Sequence, residues 1–159
     1  MSHESHKSQT TTWVTPRWIF DWVGRFDLDP ATFDEHPWPC AAENRSCDGL
    51  VAPWCGRVFL NPPFTNGQIE PFVKRMAEHN CGVLVTAARV ETGWFQDFVF
   101  GAARAVWFPR KRVQFCDAAG NAITRCGFPS CVAFYETPRK PAPRPGVWWH
   151  REATLRDLL

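Results

Sequence analysis

No run in this chain approaches the roughly 20 consecutive apolar residues that a membrane-spanning helix needs, so no membrane partner is expected. The first twelve residues, MSHESHKSQTTT, have no apolar core and read as a loose polar tail rather than a signal peptide or anchor. Charge of one sign is not in excess either: 18 Lys+Arg against 16 Asp+Glu leave a net charge of +2, which points to no partner. The seven cysteines include no C-x2-C pair, and no H-x3–5-H follows Cys40, Cys47 and Cys55, so no metal site is expected. An odd count without an export signal argues for free, buried thiols in a reducing compartment, the cytoplasm. Tyrosine is nearly missing, with one residue, but nine Trp and thirteen Phe are present. That many rings can fill a core and leave some to stack on a flat ligand. A chain of 159 residues that is 45% hydrophobic is a single folded domain, and disorder throughout is excluded.

Three regions follow from composition: the tail 1–12, a folded body 13–136, and 137–159, a basic proline-rich arm with a short C-terminal segment. The arm, PRKPAPRPG over 138–146, is expected to be extended, and a short helix is expected from about Arg151. Within the body, Thr15 is the expected N-cap and Pro16 the first residue of a helix that ends at Gly24. Strands are expected over 25–29, 58–60, 81–87, 105–108 and 131–135, with helices over 69–79 and 92–103. Residues 112–124 read as a hairpin turning near Ala119-Gly120-Asn121. This alternation predicts an α/β fold: a mostly parallel sheet with helices on both faces and an antiparallel hairpin. Ligands of such sheets sit beyond the carboxyl ends of the strands. Asp29-Pro30 and Asn61-Pro62-Pro63-Phe64 stop two of those strands and would face one crevice.

Asn61-Pro62-Pro63-Phe64 follows the buried run Val58-Phe59-Leu60. Consecutive prolines stiffen the loop. Such a corner offers the Asn61 side-chain oxygen, the Pro62 carbonyl and the Phe64 ring. Two oxygens can accept both N–H bonds of an exocyclic amine while the ring stacks on its base. Acceptors set out of the base plane favour a pyramidal nitrogen whose lone pair is free to attack, and they stabilise the positive charge that develops there. The alkylated nitrogen is then acidic enough to need no strong base.

The ordered series W-x-T-P-x-x-I-F-D (Trp13 to Asp21), F-D-L-D-P-A (Phe26 to Ala31), D-G-L (Asp48 to Leu50), N-P-P-F, A-R-V-E-T-x-W-F (Ala88 to Phe95) and F-P-S-C-V-A-F (Phe128 to Phe134) resembles the phage-type DNA N6-adenine methyltransferases. The resemblance covers about residues 13–135. It implies a compact Rossmann-like methyltransferase fold, S-adenosylmethionine as cofactor, double-stranded DNA as partner, and a phage or prophage protein working in the bacterial cytoplasm. By position, it implies that Asn61, Pro62, Pro63 and Phe64 are catalytic. It implies further that Asp29, Pro30 and Ala31 contact the cofactor, that Asp48 lies near its adenosine, and that Trp13, Thr15 and Pro16 help enclose it. One departure stands out: the Gly-rich loop common after the first strand of such sites is replaced by Leu28-Asp29-Pro30-Ala31-Thr32.

A base paired in a duplex must be flipped out to reach a strand-end pocket, and holding the distorted duplex takes cations along its backbone. Arg110, Lys111 and Arg112, Arg125 at the end of the hairpin, and Arg89 after the central strand are the candidates for DNA binding. The motif alone does not separate adenine N6 from cytosine N4 or a glutamine amide, and a catalytically inactive DNA-binding relative would keep the same fold.

Overall fold

The protein is seen in a computed structural model that describes residues 12–33, 36–65, 67–123 and 127–151. Helix α1, Arg17–Val23, buries Ile19, Trp22 and Val23 along one stripe. Gly24 ends it with φ +86°, donating its N–H to Phe20 O at 2.8 Å. The expected cap needs correcting. Pro16 is the N-cap, extended at ψ 144°, no side chain caps the helix, and the Thr15 hydroxyl is buried without a partner. The reason lies upstream: Val14 pairs antiparallel with Cys116, and the extended conformation of that pairing runs on through Pro16.

Among the described residues seven strands form one sheet: β1 Phe26–Asp29, β2 Ala41–Asn44, β3 Val58–Leu60, β4 Gly82–Ala87, β5 Ala105–Pro109, β6 Ser130–Phe134 and β7 Gly146–His150. Their order is β2-β1-β3-β4-β6-β5-β7. β1 to β4 are joined by parallel pairings. β6 lies between β4 and β5 and is antiparallel to both, so β5 points the same way as β4; β7 is antiparallel to β5. The α/β class holds, but the mostly parallel sheet expected from the sequence is corrected to a mixed one in which most paired residues are antiparallel. The return after β5 does not stay outside as a hairpin; it inserts β6 into the sheet. The region read as that hairpin, 112–124, forms no ladder. Among its described residues it holds one bridge, Cys116 with Ala122, closed by a turn where Asp117 Oδ1 accepts from Ala119 N and Asn121 N, each at 2.9 Å.

Both faces of the sheet are covered. Alternation along the strands sends Val58, Leu60, Leu84, Cys131 and Ala133 to one side, against α2 (Ile69–His79) and α3 (Gly93–Phe95), which continues as a π-helical turn Gln96–Phe100. Phe59, Val83, Val85, Val132 and Phe134 face the other side, against α1, Val113 and Phe115. The one tyrosine, Tyr135, is buried and donates its hydroxyl to Phe98 O at 2.6 Å. No helix among the described residues is long and apolar enough to cross a membrane.

The proline-rich stretch is docked on α1, where Trp22 Nε1 donates to Lys140 O at 3.2 Å and the Arg144 guanidinium lies 4.0 Å over the Trp18 ring. It then delivers β7 into the sheet. At the opposite end of the strands, Arg57 donates to Glu136, Arg25 O and Val23 O, and its guanidinium lies 4.2 Å over Phe26. This clasp joins the end of α1 to the start of β3. The helix expected beyond Arg151 and the candidate Arg125 lie outside the described residues.

Candidate active site

β1 ends at Asp29 and β3 at Leu60, and because the two are parallel neighbours their following loops open side by side. Between them is a cleft of about 410 Å³, a volume suited to a small ligand. Asp29, Pro30 and Ala31 line one wall, Asn61, Pro62, Pro63 and Phe64 the other, and Trp13 closes a side. The two strand-end motifs thus meet across one crevice. Asp48 does not line it: the residue is exposed on a turn where its carbonyl accepts from Val51 N and Ala52 N, while its neighbours Cys47, Gly49, Leu50 and Val51 form the lip. Gly49 is needed here, because a Cβ at that position would lie 1.7 Å from Pro30 O. Thr15 and Pro16 are buried behind the cleft and do not line it.

Asn61 is the most informative side chain. Its Nδ2 donates to the Trp13 carbonyl at 2.6 Å, while Oδ1 is buried and has no partner. An acceptor stranded in this way costs free energy unless a ligand satisfies it. Phe64 stands half-buried beside it, edge-on to Phe128 (centroids 4.8 Å apart) and Phe115 (5.9 Å). Trp13 packs on the same two rings, at 6.1 Å from Phe115 and 5.5 Å from Phe128. Two prolines, four rings and one orphaned oxygen make a rigid, flat-walled recess with acceptors at its edge.

Across the cleft, Asp29 is only 3% exposed. Oδ1 accepts from Ala31 N at 3.1 Å, and the Cys40 thiol is 4.0 Å from Oδ2. Burial with so little compensation pushes its carboxyl up to about 7. The same burial, with Asp29 beside it, holds Cys40 firmly as a thiol. His36 also lines the cleft; burial lowers its pKa, and its Nδ1 accepts from Trp38 N at 3.2 Å, which leaves the proton of the neutral ring on Nε2.

The basic candidates sit at the same edge. Because β1, β3, β4 and β5 point one way, Arg89 after β4 and Arg110, Lys111 and Arg112 after β5 emerge on the side that carries Asn61, all of them exposed. Sequence reasoning missed His36, Phe33 and Phe72 as cleft residues, and no local signal marks them. Phe128, which does not line the cleft but braces Phe64 and Trp13, could have been found, since it opens F-P-S-C-V-A-F.

With this geometry in view, the model of the DNA N-6-adenine-methyltransferase (Dam) family matches residues 2–148. The chain belongs to that family. No curated protein and no solved structure matches it. In this Dam-family protein the N-P-P-F corner stands at the carboxyl edge of the sheet, where α/β folds bind their ligands.

Proposed function

We propose that this Dam-family protein transfers a methyl group from S-adenosylmethionine to the N6 amine of an adenine flipped out of double-stranded DNA. One observation carries the reading: the buried, partnerless Oδ1 of Asn61 in a stiff prolyl corner that lines the cleft together with the Trp13 and Phe64 rings. Five strands running one way, with the cleft at their carboxyl ends, support a Rossmann-like reading of the sheet.

The residues present fit a sulfonium cofactor. Asp29 is a carboxylate whose charge the protein leaves largely uncompensated, and a cation or hydroxyl donor beside it would relieve that cost. Pro30, Ala31 and the lip formed by Gly49, Leu50 and Val51 would hold the rest. When bound, the cofactor supplies an electrophilic methyl group. The protein's own part is to present the amine. Asn61 Oδ1 and the Pro62 carbonyl accept its two N–H bonds, and Phe64, braced by Phe115 and Phe128, fixes the plane of the base. Oxygens held out of that plane favour a pyramidal nitrogen and stabilise its developing positive charge without reorganising. Arg89, Arg110, Lys111 and Arg112 supply cations for the phosphates of the opened duplex.

The test is transfer of labelled methyl groups to unmethylated DNA, followed by nucleoside analysis. Label in N6-methyladenine is expected. Label in N4-methylcytosine moves the substrate to the other base, and no label removes the proposal. Asn61→Ala is expected to lower the rate by at least about 10²-fold with an unchanged folding transition.

A further inference from the structure

The recess needs an acceptor, yet an asparagine amide offers an oxygen at one end and an NH2 at the other, and nothing in the amide itself decides which end faces the cleft. The Trp13 carbonyl decides it. A carbonyl can only accept, so the Asn61 atom 2.6 Å away is a donor; the flipped amide would set two oxygens against each other at that distance. We infer that the Trp13 backbone carbonyl is a positioning group, which captures the NH2 end of Asn61 and thereby presents Oδ1 to the cleft.

That carbonyl is itself firmly held. Val14 N donates to Cys116 O and Cys116 N to Val14 O, both at 2.9 Å, and Trp38 Nε1 donates to Thr15 O at 2.9 Å. The Trp13 ring is wedged against Phe115 and Phe128. The strap 12–16 is thus pinned to the 113–123 loop, and a main-chain atom of Trp13, 48 residues before Asn61, links it to the N-P-P-F corner. It follows that an ionised carboxylate cannot replace the amide. At position 61 an ionised aspartate would turn an oxygen toward the Trp13 carbonyl. The titratable groups lining the same cleft are Asp29, His36 and Cys47, and among the described residues no Lys or Arg lines it, so no cation there would hold a second carboxyl ionised. Only its protonated form, donating to Trp13 O, copies asparagine.

The inference deepens the methyl-transfer reading, and its test is chosen to stand apart from that reading. In Asn61→Asp, the introduced carboxyl is expected to titrate above about pH 6 by carbon NMR of the free protein, against an ordinary value near ~3.9. Methyl transfer by this variant is expected to fall about tenfold per pH unit above that titration, because only the protonated form is competent. As a second arm, Val14→Pro removes the N–H that binds Cys116 O, and is expected to lower kcat about tenfold or more while the folding transition persists. An introduced carboxyl that titrates near 4, or Val14→Pro with full kcat, overturns the inference. A wild-type protein that transfers no methyl group overturns the proposed function instead, and the NMR titration still decides the role of Trp13.

Discussion

Asp29→Asn puts a number on the cost of the cleft. The side chain is 3% exposed, so its charge is not screened by solvent, and its carboxyl is pushed from 3.8 to about 7 by burial. A gap of about 3 pH units corresponds to roughly 4 kcal/mol, as an upper figure. The sign follows from proton binding. Below pH ~4 the carboxyl is neutral in both folded and unfolded chains, and no penalty exists. Between ~4 and ~7 the folded state holds a proton that the unfolded state has lost, so stability falls as pH rises; above ~7 the full penalty is present. Asparagine still accepts from Ala31 N, and it carries no charge. Asp29→Asn is therefore expected to raise stability at pH 8, with Tm higher by on the order of 10 °C, and the gain should vanish by about pH 4. Urea unfolding of both proteins at pH 4, 6 and 8 measures it. A gain that does not depend on pH, or none at pH 8, refutes the reasoning. The same charge should serve the ligand: the variant is expected to bind S-adenosylmethionine more weakly at pH 8, and wild-type binding near pH 6.5 should release a proton, visible as buffer-dependent calorimetric heats.

The remaining predictions concern other parts of the molecule. Phe64→Ala removes the ring that flattens the base, and should weaken capture of DNA substrate by roughly 1–3 kcal/mol, with a smaller effect on the cofactor; separate titrations of the two ligands check this. Glu136→Ala leaves the Arg57 guanidinium buried without its carboxylate, and should cost about 3–5 kcal/mol in urea unfolding. Replacing Arg110 and Lys111 together by alanine should weaken DNA binding regardless of sequence and flatten its salt dependence by about two phosphate contacts. An unchanged slope would remove that edge from the DNA interface.

The α/β class and half of the site were legible because their signals are local. Val58-Phe59-Leu60 and the run from Cys81 to Ala87 are apolar enough to be buried strands wherever they sit, and a prolyl corner after the first of them must lie at a strand end. The spacing of Ile69, Phe72, Val73 and Met76 likewise marks α2. Other elements carry no such mark. Ala41–Asn44 is weakly apolar and mostly exposed, and is a strand only because β1 offers it an edge, pairing Phe26 with Ala41 and Leu28 with Glu43. Thr15 looks like a cap, but the pull of Cys116 on Val14 keeps the chain extended past it.

By itself, then, the sequence determined which stretches must be buried, where the stiff corner falls, and that an asparagine, an aspartate and several rings would stand at strand ends, since each of these follows from neighbouring residues. Tertiary structure alone decided that β6 enters between β4 and β5, that the proline-rich arm returns as β7, and that Trp13 reaches across 48 residues to turn the Asn61 amide. Those are pairings between distant segments, set by which backbone edges and side-chain donors finish close together, and no local periodicity encodes them.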